Sequence, residues 1–192
     1  KAQGKVAGVE KSYSFIAPAK EIDVELAVKR SRFIGSVRIS LDPDEASEKI
    51  KGFPEIFPTA NHHCWAYRIG TENILEHCSD AGEPAGTAGR PILGMLKRHS
   101  LQNTLLVVTR YFGGIKLGVR GLIEAYGASA RKALEAAGTV RRVASRVAVL
   151  EVPYEEQGNM RFFLKDLGAD VEQTHFRYSE RVVMEVPVPL SL

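Results

Sequence analysis

Cysteine is scarce in this chain: only Cys64 and Cys78 occur among 192 residues. Two are too few for a disulfide scaffold, so the fold has to rest on an ordinary hydrophobic core. No uninterrupted apolar run reaches the roughly 18 residues that a membrane-spanning helix needs. An apolar stretch of the signal-peptide kind is also missing near the start, so a cytoplasmic location with no membrane partner is expected. Neither sign of charge dominates: 26 Lys and Arg oppose 23 Asp and Glu, and the net of +3 selects no class of partner. What remains is an ordinary globular composition, 44% hydrophobic and 26% charged, long enough for one large or two small domains.

The charge is uneven along the chain. From Arg90 to Lys132 there are eight Lys and Arg against one acid, Glu124, a local balance of +7. Two glycine-rich stretches bracket that region, SDAGEPAGTAGRPIL from Ser79 and TRYFGGIKLGVRG from Thr109. They flank what reads as one helix and one buried strand, an arrangement that can bring both loops to one edge of a sheet.

In chain order, residues 1–11 read as a tail, and strand character begins at Tyr13. VELAVKRSRFIGSVRIS reads as two extended pieces. Asp42, Pro43 and Glu45 then make a helix start, with Gly52 and Pro54 expected to end that helix at about Lys51. Asn61–Ile69 and Asn73–Cys78 read as a hairpin. Asp80–Gly89 is too rich in glycine for a regular element, and Thr87 is expected to cap a helix over Gly89–His99. Leu101–Thr109 reads as a central strand buried on both faces. After a second loop, Tyr111–Gly118, apolar residues recur at helical spacing over Val119–Ala137, with Gly138 as the stop.

The pattern restarts near Gly138, which suggests domains at residues 1–138 and 139–192. Arg146–Val152 as a strand, Glu155–Leu167 as a helix, and paired strands over Ala169–Tyr178 and Arg181–Val188 give a βαββ order. That is three quarters of a ferredoxin-like unit, and it is expected to be incomplete. Residues from Thr139 onward hold seven basic and eight acidic side chains, so the positive surface belongs to the first domain.

The runs ANHHCWAYRI (60–69), SDAGEPAGTAGRPIL (79–93), VVTRYFGGIKLG (107–118) and GLIEAYG (121–127) together resemble the YigZ/IMPACT family. The resemblance covers the first domain in order; in the second it is mostly one of pattern. It implies an α/β (α+β) protein. The first domain would have the ribosomal-protein-like α/β fold of the fourth domain of elongation factor G, and the second would be ferredoxin-like. It also implies an association with regulation of translation and with nucleic acid, and it brings no enzymatic activity. The sequence departs from the family pattern at Ala81, Arg120 and Glu124, where Asp, Gly and a basic residue are expected.

Three functional readings stay open on the residues. In the first, RNA or the ribosome is the partner. Its phosphates would meet Arg90, Arg110, Lys116 and Arg120, and the backbone amides at Gly86, Thr87, Gly89, Gly113 and Gly114, while Tyr111 or Phe112 stacks on a base. In the second, an enzyme uses Asp80 and Glu83 to hold Mg²⁺ or to divide acid and base roles, with His62 nearby. Against it, the two carboxylates can simply hold the loop in shape. In the third, the chain is an interaction module docking on a translation factor. Five His and Cys side chains on the hairpin match no standard zinc spacing, so no cofactor is assigned beyond that Mg²⁺.

Overall fold

The computed structural model describes residues 14–169 and 171–189; the predicted tail over 1–11, and Tyr13, lie outside them. The described chain forms two compact units, Phe15–Arg142 and one that contains Val143 onward.

The first unit is built on a five-stranded antiparallel sheet. Its strands are β2 (Ile22–Val28), β3 (Ser31–Ile39), β4 (His62–Ile69), β5 (Leu75–Ser79) and β6 (Thr104–Tyr111), in the order β2-β3-β6-β4-β5. β6 is the middle strand and is buried on both faces, as its run of Leu and Val leads one to expect. Leu106 and Val108 face helices α2 (Gly89–Arg98) and α3 (Gly118–Ala137), in a core shared with Phe33, Cys64, Ile92, Leu122 and Tyr126. Leu105 and Val107, one residue out of phase, face the opposite way toward Ala46 and Phe53 of α1 (Pro43–Ile56). A short strand β1 (Ser14–Pro18) pairs with β7 (Thr139–Val143) as a separate ribbon.

Helix α1 runs five residues beyond its expected end at Lys51, through Gly52 and Pro54 to Ile56. Its start is as expected: the Asp42 side chain accepts from the Glu45 amide at 2.8 Å, and Glu45 returns a bond to the Leu41 amide at 2.8 Å. The extension follows from Phe53, which is buried beneath the sheet. Burying that ring outweighs the single backbone bond that Pro54 cannot donate in the last turn.

In the second unit, β8 (Ser145–Val152) and α4 (Gln157–Asp166) are followed by β9 (His175–Tyr178) and β10 (Val182–Pro189). β10 lies between β8 and β9 and is antiparallel to both, the split arrangement of a ferredoxin-like βαββ. The strand expected from Ala169 begins only at His175, because residues 171–173 form a 3₁₀ turn. Val152, Leu164, Val182, Met184 and Val186 make its own small core.

Candidate nucleic-acid interface and the cleft beside it

Strand alternation decides where the predicted site residues point. Arg110 follows Leu106 and Val108 at intervals of two, so it turns with them toward the helices rather than out to solvent. Opposite it in the register stands His62 on β4, and two residues further on comes Cys64. Tyr126 of α3 completes the group from above, its ring edge-on to Phe33 at 5.3 Å.

Glu83 is the centre of this group. It belongs to the first glycine-rich loop, yet it turns inward. Arg110 Nη1 donates to Glu83 Oε1 at 2.6 Å, and the Tyr126 hydroxyl donates to the same oxygen at 2.8 Å. His62 Nε2 lies 3.9 Å from that oxygen, while His62 Nδ1 bonds the Ala81 carbonyl at 3.0 Å. The Cys64 thiol donates to the Asp80 carbonyl at 2.9 Å and sits 3.4 Å from the Tyr126 oxygen. Burial pushes the Cys64 thiol up to about 12, with the Tyr126 bond opposing only in part. Burial also pushes Tyr126 well above the ordinary phenol range, and the neighbouring Cys64 and Glu83 add to that. Neither group ionises near neutrality, so the single charge pair here is Glu83 with Arg110.

Asp80 has a different task. Its two carboxylate oxygens accept from the amides of Gly86 at 2.8 Å, Ala88 at 2.9 Å and Gly89 at 2.8 Å. Burial acts to raise its pKa, but the bonds from Gly86, Gly89 and Ala88 outweigh it and hold the carboxyl below its usual range. The expected phosphate cradle is therefore filled by the protein's own anion. Thr87 does not cap α2 either: its hydroxyl donates to the Pro84 carbonyl at 2.7 Å, and Asp80 supplies the cap from outside the helix. Asp80 is thus bonded to amides, and Glu83 to Arg110 and Tyr126.

The second loop is corrected in part. Tyr111 is not a free stacking surface, since Arg32 lies over its ring at 4.5 Å and its hydroxyl donates to the Pro58 carbonyl at 3.2 Å. The Gly113 amide donates to Ser31 Oγ at 3.2 Å and so is not available to phosphate. Phe112 is the exposed aromatic, 45% accessible, with Arg110 packed behind it at 5.4 Å. Gly114 is exposed.

Of the four expected cations, Arg90, Lys116 and Arg120 are exposed, and Arg110 is buried. Arg98 and Arg131 are exposed as well. Arg98 of α2 and Arg131 of α3 line a common groove with Glu124, and Glu124 accepts from Arg120 at 2.9 Å. Glu124 holds Arg120 and Glu135 holds Arg131 only through exposed i,i+4 pairs, which are weak in water. A cleft of about 440 Å³ opens at the start of α3, with Lys116 and Leu117 in its wall beside Asn61, His62, Glu83, Arg110 and Phe112. The Glu83 network could not be read from spacing, because 43 residues separate Glu83 from Tyr126 and only the strand register brings His62 to Arg110. A stacked trio of Trp65, Tyr67 and His77 on β4 and β5 was likewise missed. Its alternation at 65 and 67 was the signal.

Residues 29–134 match the Impact N-terminal domain. The chain is 37% identical to the IMPACT family member YvyE of Bacillus subtilis, over 92% of this chain and 80% of that protein. To the IMPACT family member YigZ of Escherichia coli it is 31% identical, over 92% of this chain and 86% of that one. A stretch of 63 residues is 40% identical to Protein IMPACT of Homo sapiens, covering 31% of this chain and 19% of the human protein. Among solved structures, the crystal structure of a hypothetical protein superposes with a TM-score of 0.69 at 30% identity, covering 92% of this chain and 86% of that one. Among the described residues, no helix is long and apolar enough to cross a membrane.

Proposed function

The chain belongs to the IMPACT family, and from that premise we propose that it binds RNA, free or within the ribosome, in the regulation of translation. One observation carries the reading: α2, α3 and the loop between β6 and α3 expose Arg90, Arg98, Lys116, Arg120 and Arg131, opposed by Glu124 and Glu135. Lys and Arg so placed gain by releasing counterions from phosphates. The exposed Phe112 supplies an aromatic face for an unpaired base. The first loop's amides already bond Asp80 and take no part in phosphate contact.

Fluorescence anisotropy of a labelled single-stranded RNA tests the reading. Binding at low salt that weakens steeply as salt rises is expected. No binding at any salt, together with capture of a protein partner that survives nuclease, contradicts it and favours docking on a translation factor.

A further inference from the structure

We propose that the cleft at the start of α3 is a pocket for one unstacked nucleotide, its base inside and its phosphate at the first turn of the helix, with guanine preferred. This rests on the RNA reading above and gives it a specific subsite. The ligand is a nucleoside 5′-phosphate unit, taken from a strand or free in solution.

The size and lining fit. At about 440 Å³ the cleft lies within the ~300–1,000 Å³ of small-molecule sites. Phe112, Leu117, Val119 and Leu122 give it an apolar side, and Asn61, His62, Glu83 and Arg110 a polar one. A flat base needs such a pair of walls: a ring to stack on, and an edge to be read.

The phosphate position follows from α3. Its first turn carries no acid and no capping side chain, and Leu117 at the cap position makes no side-chain bond. The free amides and the helix dipole there favour an anion, with Lys116 alongside.

An independent observation points to the base. The Glu83 side chain is only 3% exposed, and its contacts with Arg110, Tyr126 and His62 all involve Oε1. None of these contacts uses Oε2, which leaves an oxygen able to accept from a ligand. In its neutral form His62 offers a second acceptor: Nδ1 donates to the Ala81 carbonyl, and Nε2 then carries a lone pair. Arg110 adds donor capacity through Nη2, whose contact with Ser31 Oγ is long at 3.5 Å. Two acceptors beside a donor complement guanine, whose pairing edge offers N1–H, N2–H₂ and O6. Uracil offers one donor between two acceptors and would leave a protein acceptor unpaired.

Nuclear magnetic resonance titration of the full chain tests this with guanosine 5′-monophosphate, uridine 5′-monophosphate and guanosine. The guanine nucleotide is expected to shift the amides of Gly118, Val119, Arg120 and Gly121, and to bind at least about tenfold more tightly than the other two. Phe112→Ala, at an exposed position, and His62→Gln, at a half-buried one, should weaken it by a similar factor with the remaining spectrum intact. Equal affinity for all three, or shifts confined to other residues, overturns the pocket. A uracil heptamer with one central guanine, compared with the all-uracil strand, separates the sources. Guanine-dependent binding of the strand through the same amides assigns the pocket to RNA, and binding of the mononucleotide alone assigns it to a free nucleotide. RNA that binds while these amides stay still overturns the pocket and leaves the RNA reading standing. Mononucleotide binding without RNA binding supports the pocket and removes the RNA reading.

Discussion

Glu83 and Arg110 meet at 2.6 Å with side-chain exposures of 3% and 7%, a buried ion pair that ties the first glycine-rich loop to the central strand. Removing one partner strands the other charge away from water. Glu83→Ala should cost roughly 3–5 kcal/mol in stability, measured by denaturant unfolding. Replacing both, as Glu83→Leu with Arg110→Met, should recover most of that loss, because the pair is more a specifier of loop position than a net source of stability. A double variant as unstable as Glu83→Ala would show that the loop depends on the charges themselves.

Much of this molecule was legible in its sequence, for reasons that name their residues. β6 announced itself by a run of Leu and Val, and α3 by apolar residues at helical spacing. Arg110 was misplaced because its charge suggested solvent, while its phase with Leu106 and Val108 sets its side chain inward. The amides of 86–89 suggested a cradle for phosphate; Asp80, whose other reading was to hold the loop in shape, fills it instead.

Asp80→Asn should loosen the first loop, since a charged acceptor of three amides becomes a weaker neutral one. A loss of about 2 kcal/mol is expected at neutral pH. The folded pKa of Asp80 lies below its unfolded value, so its contribution is complete above an unfolded pKa of about 3.9 and fades as pH falls through the folded value. The stability gap between wild type and Asp80→Asn, followed by circular dichroism, should therefore narrow below about pH 4. A gap that is flat down to pH 2 would contradict the role given to these bonds.

Cys64 should resist alkylation in the folded protein. Its thiol is buried and raised to about 12, so the reactive thiolate is almost absent at pH 8. Burial also raises Cys78, though less of that side chain is enclosed. Mass spectrometry after iodoacetamide should find Cys64 unmodified in native protein and both cysteines modified in denaturant. Rapid native labelling of Cys64 would place it outside the network described.

Gly113 and Gly114 should differ sharply on substitution by Ala. A Cβ at Gly113 would lie 1.8 Å from the Arg30 carbonyl oxygen, so backbone has to move. At Gly114 the space is open and only the positive φ of 83° opposes Ala, a cost of about 1 kcal/mol. Thermal unfolding should show Gly113→Ala much the less stable; equal midpoints would contradict the packing of this loop.

The salt dependence of RNA affinity, compared between the wild type and an Arg98→Glu, Lys116→Glu, Arg120→Glu variant, tests the central claim most directly. With about four phosphate contacts, the log–log slope for single strands should be close to −3 in the wild type. In the variant it should fall toward about −1 while the unfolding midpoint stays within a few degrees. An unchanged slope and affinity in a folded variant would contradict the account.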